Sequence, residues 1–170
     1  MRVLGTHRLP YGRAFGVALL TAWVLAGCAS KPVPPVVTPI AMTVTAGPDA
    51  NPDVRGRASP LTVRVYALKS PGPFEGADFF SLFEKDTATL GPELVQREEM
   101  LLRPGESRKL DMTLPADAKA IAVMAAYRDL DRARWREVRA VEPGKPLDVT
   151  VTLGARQIRI DAVPAPPPKK

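Results

Sequence analysis

The chain has 170 residues, 45% of them hydrophobic and 25% charged, which suits one globular domain and is too short for two of ordinary size. Its single histidine, His7, lies within the first 27 residues and its single cysteine is Cys28, so the rest of the chain has no histidine for a Ser-His-Asp triad, a Cys-His pair or a metal, and one cysteine can form neither a zinc-cysteine cluster nor an internal disulfide. The net charge of +6 falls to +3 once residues 1–27, which hold Arg2, Arg8 and Arg13 and no acidic residue, are set aside, so charge offers no support for a nucleic-acid partner.

Residues 1–27 read as a lipoprotein signal peptide. A basic segment ends at Arg13, an apolar run follows from Ala14 to Ala26, and Gly27-Cys28 closes it. As a helix the run would rise about 20 Å, short of a hydrocarbon core of about 30 Å, which argues for a cleaved signal over a membrane span. Leu25-Ala26-Gly27-Cys28 resembles a bacterial lipobox, in which small residues give the signal peptidase access to the backbone and the thiol takes the diacylglycerol. Cys28 is thus the expected lipidation site and membrane lipid its partner. Ala29 stands where an aspartate would commonly mean inner-membrane retention, so the resemblance points to the outer membrane. Residues 28–39, with Pro32, Pro34, Pro35 and Pro39, read as the acylated cysteine and a proline-rich tether. In polyproline geometry, at about 3.1 Å per residue, it would span roughly 30 Å.

From Ile40 the apolar residues recur with period two between Gly and Pro punctuation, the pattern of a small β-sandwich over residues 40–162. Ile40, Met42 and Val44 form one such row, and Leu61, Val63, Val65 and Ala67 the next. Leu110, Met112 and Leu114 repeat it, as do Leu147, Val149, Val151 and Leu153, then Ile158 and Ile160 beyond the turn Gly154-Ala155-Arg156. Ala120–Tyr127 is almost wholly apolar, which predicts a central strand covered on both faces or lying beneath a helix. With the irregular segments Leu94–Leu101 and Trp135–Val141 the total is about eight strands. Phe79, Leu82 and Phe83 have helical spacing behind Asp78, which predicts a short helix capped by that carboxylate and plugging an open sheet edge with its phenylalanines. Residues 163–170 read as a proline-rich basic tail.

The connection between the first two strands, residues 47–60, is longer than a hairpin requires, polar, and stiffened by Pro48, Pro52 and Pro60. Long stiff loops present contact surfaces. Here the residues come to resemble a known family, the outer-membrane lipoproteins of the bacterial type VI secretion membrane complex, of the TssJ (SciN, VasD) type. The resemblance is carried by the lipobox, Asn51-Pro52-Asp53, Gly56-Arg57-x-Ser59-Pro60-Leu61, and Val63-Arg64-Val65-Tyr66-x-Leu68. It continues through Phe79-Phe80-Ser81-Leu82-Phe83 with Asp86, Arg103-Pro104-Gly105-Glu106, and Ala125–Asp131 leading to Trp135-Arg136.

The resemblance implies an all-β, transthyretin-like β-sandwich with a short helical insertion, facing the periplasm from the outer membrane. It implies as partner the C-terminal periplasmic region of the large IcmF-like (TssM) inner-membrane component, bound through the loop between the first two strands. Asp49, Asn51, Pro52, Asp53, Arg55, Gly56 and Arg57 are the candidate contacts, with charge of both signs that favours fast, selective encounter. It implies neither an enzyme nor a cofactor, metal, nucleic acid or small-molecule substrate.

Two other readings stand beside it. Asp129 and Asp131, placed after an apolar strand, could share a face as an acid-base pair, although Arg128, Arg132 and Arg134 are at hand to neutralise them. A periplasmic carrier or sensor would instead bind a small ligand between its sheets. The lipid anchor is the most direct of these expectations to test. Cys28→Ser should release the protein from the membrane fraction in cells lacking its partners and abolish secretion; continued membrane fractionation there would remove the lipoprotein reading.

Overall fold

The computed structural model describes residues 35–166. The expected signal peptide, the lipidation site Cys28 and residues 167–170 of the tail lie outside them. Eight strands form two four-stranded sheets. The first has the order β4-β1-β7-β8, built from β1 (Val37–Ala46), β4 (Ser107–Pro115), β7 (Leu147–Leu153) and β8 (Ile158–Pro164). The second has the order β3-β2-β5-β6, from β2 (Leu61–Leu68), β3 (Leu94–Leu102), β5 (Ala120–Ala125) and β6 (Arg136–Ala140). Neighbouring strands are antiparallel except β1 and β7, which run parallel.

The period-two rows meet between the sheets. Ile40, Met42 and Val44 face Val63, Val65, Ile121 and Val123 across the interface, with Val149 and Val151 beside them. None of these is more than 2% exposed, so the intersheet space is filled by side chains. Alternation also explains why β1 begins before Ile40. Val37, Thr38 and Pro39, expected in the tether, pair with Pro115, Leu114 and Thr113 of β4, while pairing with β7 starts only at Ile40. Pro39 therefore sits where the strand has one neighbour, a position that tolerates a residue without an N–H. The Thr38 hydroxyl fastens this entry by accepting the Gly144 N–H at 2.7 Å. At the other end of the domain β8 runs to Pro164, past the expected limit of residue 162.

β5 is buried along its whole length. Ile121, Val123 and Ala125 point into the sandwich, and Ala120, Ala122 and Met124 point to the opposite face of the sheet. That second face is covered by two helices inserted between β2 and β3, α1 (Gly72–Gly76) and α2 (Phe79–Leu90). α2 starts as the sequence predicts, with Asp78 accepting the Ser81 N–H at 2.9 Å. It covers the sheet face, however, and not an edge. The residues that seal it are Phe74, Leu82 and Leu90, against Tyr66, Leu68 and the even-numbered side of β5. Of the three phenylalanines expected as a plug, Phe79 and Phe83 pack at the margin with ring centroids 5.4 Å apart, and Phe80 is 61% exposed. The outer residues of β2 and β5 are apolar, so the helices must lie over the sheet to remove that area from water.

A charged network pins α2 down. The helix is broken at Lys85 (φ −139°), and the Thr87 N–H turns to Asp86 Oδ1 at 2.7 Å. The Leu82 and Phe83 carbonyls accept instead from Arg64 Nη1 of β2, at 3.2 and 2.7 Å. Asp86 is buried and also accepts from Arg97 at 2.8 Å, Arg64 at 3.3 Å and the Tyr66 hydroxyl at 3.2 Å. Burial acts to raise the Asp86 pKa, but the Arg97 and Thr87 hydrogen bonds and the two arginine charges outweigh it and hold the carboxyl below its ordinary 3.8. A depressed carboxyl pKa stabilises the fold above about pH 4, and that contribution is lost as pH falls through the lower folded-state value. Melting temperature measured against pH should therefore drop on an acid limb that Asp86→Asn flattens, while the same substitution lowers the melting temperature at neutral pH. An unchanged limb would mean that Asp86 does not hold α2 to the sheet.

Candidate functional site

The loop from Gly47 to Pro60 is not loosely draped. Gly47 donates to the Leu153 carbonyl at 2.8 Å, and a side chain there would meet that carbonyl at 3.3 Å and displace the Asp49 carboxylate, so glycine suits the close approach to the β7 end. Ala50 is fully buried, and the Ser59 N–H closes the base of the loop on the Ala50 carbonyl at 3.1 Å. Asn51 follows in a left-handed conformation (φ 53°), which asparagine tolerates better than most residues. Its side chain, only 3% exposed, donates to the Pro60 carbonyl at 2.8 Å and accepts the Arg128 N–H at 2.8 Å. One amide therefore closes the loop on itself and ties it to the segment following β5.

Beyond Asn51 the loop folds around Asp53. Its carboxylate accepts the Arg55 and Arg57 N–H groups at 2.8 and 2.9 Å and pairs with the Arg57 guanidinium, whose Nε lies at 2.8 Å. The Asp53 N–H returns to the Arg57 carbonyl at 2.8 Å, and Gly56 makes the turn at φ 78°. The Arg57 N–H, then its guanidinium, keep the Asp53 carboxyl below its ordinary pKa and hence ionised. The hairpin presents Val54, Arg55 and Gly56 at its tip, all exposed.

Two further loops complete this end of the sandwich. Tyr127, buried, donates its hydroxyl to the Gln157 carbonyl at 2.8 Å, with Gly154 O at 3.3 Å, which joins the β5–β6 loop to the β7–β8 turn. Burial, with the nearby Asp49 charge, pushes its pKa well above the ordinary tyrosine range. Arg156 Nε reaches Asp129 Oδ2 at 3.0 Å, and the Arg134 N–H reaches the Arg156 carbonyl at 2.8 Å. Together the three loops line an open concavity of about 1280 Å³, walled by Asp49, the segment from Pro52 to Arg57, Arg128, Asp129, Asp131, Arg132 and Arg156.

The seven loop residues singled out in the sequence are thus brought to one end but divided in role. Asn51 faces inward, Pro52 and Asp53 are half-buried, and Asp53 is occupied within the loop; Asp49, Arg55, Gly56 and Arg57 are exposed. Val54, Arg128 and Arg156 complete the surface without having been expected, and contacts such as Asn51 with Arg128, 77 positions apart, leave no local pattern to find. The acid-base reading of Asp129 and Asp131 loses its premise, since both lie in a loop and Asp129 is engaged by Arg156 and, at 4.0 Å, by Arg132.

A β-sandwich of transthyretin-like topology, with helices over one sheet and a stiff charged loop at one end, is the class of protein this fold defines. The family model for the type VI secretion lipoprotein (VasD, EvfM, TssJ) matches residues 38–156, and the chain belongs to that family. The crystal structure of the type VI secretion lipoprotein TssJ1 from Pseudomonas aeruginosa is 44% identical over 78% of this chain and all (100%) of that one, with a TM-score of 0.73. Serratia marcescens Lip, a membrane-bound component of the type VI secretion system, is 27% identical over 75% of this chain and 96% of its own, with a TM-score of 0.67. A chain in the structure described as the TssM C-terminal domain from EAEC is 27% identical, covering 72% of this chain and 99% of that one, with a TM-score of 0.61. No curated protein matches the chain.

Asn51→Ala would remove the hydrogen bonds to the Pro60 carbonyl and from the Arg128 N–H and place alanine at positive φ, so it should cost about 1–3 kcal/mol. Denaturant unfolding of the full chain reads this directly. A loss below about 0.5 kcal/mol, the usual effect of changing an exposed loop residue, would show that Asn51 is not holding the loops together.

Proposed function

We propose that this lipoprotein is held in the outer membrane through acylated Cys28, faces the periplasm, and binds the periplasmic C-terminal region of the IcmF-like (TssM) inner-membrane component through its β1–β2 loop. The observation that carries this reading is the placement of the loop. β1 enters the domain at Val37 and delivers the chain to the loop at Ala46, ten residues and about 33 Å along the strand. Val37, where β1 begins, and the loop that follows Ala46 are therefore at opposite ends of the strand, the arrangement required of a link between two membranes. The likeness to a chain in the structure described as the TssM C-terminal domain supports the choice of partner. The carrier reading needs space between the sheets, and the side chains of the core fill it.

The loop's order favours recognition. A preformed loop loses little conformational freedom on binding, and charges of both signs at its rim select a complementary surface more than they add affinity. Alanine in place of Asp49, Arg55 and Arg57 together should raise the Kd of the detergent-solubilised full chain for the partner's periplasmic region at least tenfold and shift the melting temperature little. Unchanged affinity would move the contact away from this loop.

A further inference from the structure

We propose that Val54 is the apolar anchor of the β1–β2 loop and that it enters a socket on the partner lined by apolar side chains and rimmed by carboxylates. This rests on the loop being the partner-binding element. Among the described residues with large apolar side chains, Val54 is the most exposed, at 104%; the next, Phe80, is 61% exposed. Nothing in the domain shelters it, yet it does not sit on a slack segment. The Asp53 carboxylate on one side and the Gly56 turn on the other hold its neighbours through hydrogen bonds of 2.8 and 2.9 Å.

An aliphatic side chain held out in water by a rigid turn is disfavoured in the free protein and gains from any apolar cover. Valine is smaller than the aromatic residues that dominate interface energetics. What favours it here is its stiffness at χ1 and the fixed backbone beneath it, so that little freedom remains to be lost on burial. The chemistry of the socket rim follows from the neighbours. Arg55 has no carboxylate within ion-pair distance among the described residues, and the Arg57 side chain, though paired with Asp53, is 72% exposed. Two arginines within three residues of one aliphatic knob fit an apolar depression edged by Asp or Glu side chains. Asp53, occupied within the loop, is a positioning residue.

The test is a titration of the full acylated chain in detergent against the partner's periplasmic region, with Val54→Ile, Val54→Ala and Val54→Asp. Because Val54 is outside the fold, all three variants should melt with the parent. Affinity should fall in that order, with Val54→Ile within about threefold of the parent and Val54→Asp at least tenfold weaker, chiefly through faster dissociation. Equal affinity for the parent and Val54→Asp overturns the anchor while leaving the loop as the binding element. If a chain with residues 53–57 replaced by a short glycine linker also binds like the parent, the loop reading itself falls, and the anchor with it.

Discussion

The amide of Asn51 lies out of water with both of its hydrogen-bonding ends occupied, and the shape of the loop end follows from this. Its nitrogen closes the loop onto Pro60, where β2 begins, and its oxygen holds the backbone after β5. Asn51 and Arg128 are 77 positions apart along the chain, and the side chain joins them in one step. With Tyr127 joining the next loop to the β7–β8 turn, three connections that could have moved independently become one surface. Local order at a loop otherwise costs conformational entropy on binding, and here most of that cost falls in folding.

Two of the carboxylates at this end are neutralised inside the molecule. Asp53 serves Arg57, and Asp129 serves Arg156. Exposed pairs of this kind add little stability, but they fix directions, and what they leave unpaired is a smaller set of charges than the composition suggests. Salt therefore weakens long-range attraction at this surface more than it disturbs the loop itself, because several of the bonds that hold the loop run between backbone and side chain.

Much of the fold was legible because strands in a two-sheet sandwich alternate, and Ile40–Val44, Val63–Ala67 and Val149–Leu153 do so cleanly. The doubly apolar β5 announced that something covers its second face, a helix among the readings, though not which residues supply it. The helical cover was harder to read for local reasons. Pro71-Gly72-Pro73 looks like loop while forming the start of α1, and α2 is interrupted at Lys85, which hides its continuation to Leu90. Proline misled at Val37-Thr38-Pro39 as well, because a proline at the one-sided end of a strand costs almost nothing. The position of the loop was plain from its composition. The inward turn of Asn51 was not, since an asparagine in a run of Pro, Asp and Gly is indistinguishable from an exposed turn residue until its distant partner is known.

β1 has a mechanical consequence. It lies between β4 and β7, bonded on both sides, with Val37 at one end and the β1–β2 loop at the other. A pull between those two points runs nearly along the strand axis. The ladder bonds to β4 lie across that axis, so the load is shared by many of them at once as shear instead of opening them singly like a zipper. A loop returning to the end at which β1 begins would instead load the ladder bond by bond, at far lower force. The parallel pairing of β1 with β7, an exception among otherwise antiparallel neighbours, supplies the second flank of that resistance.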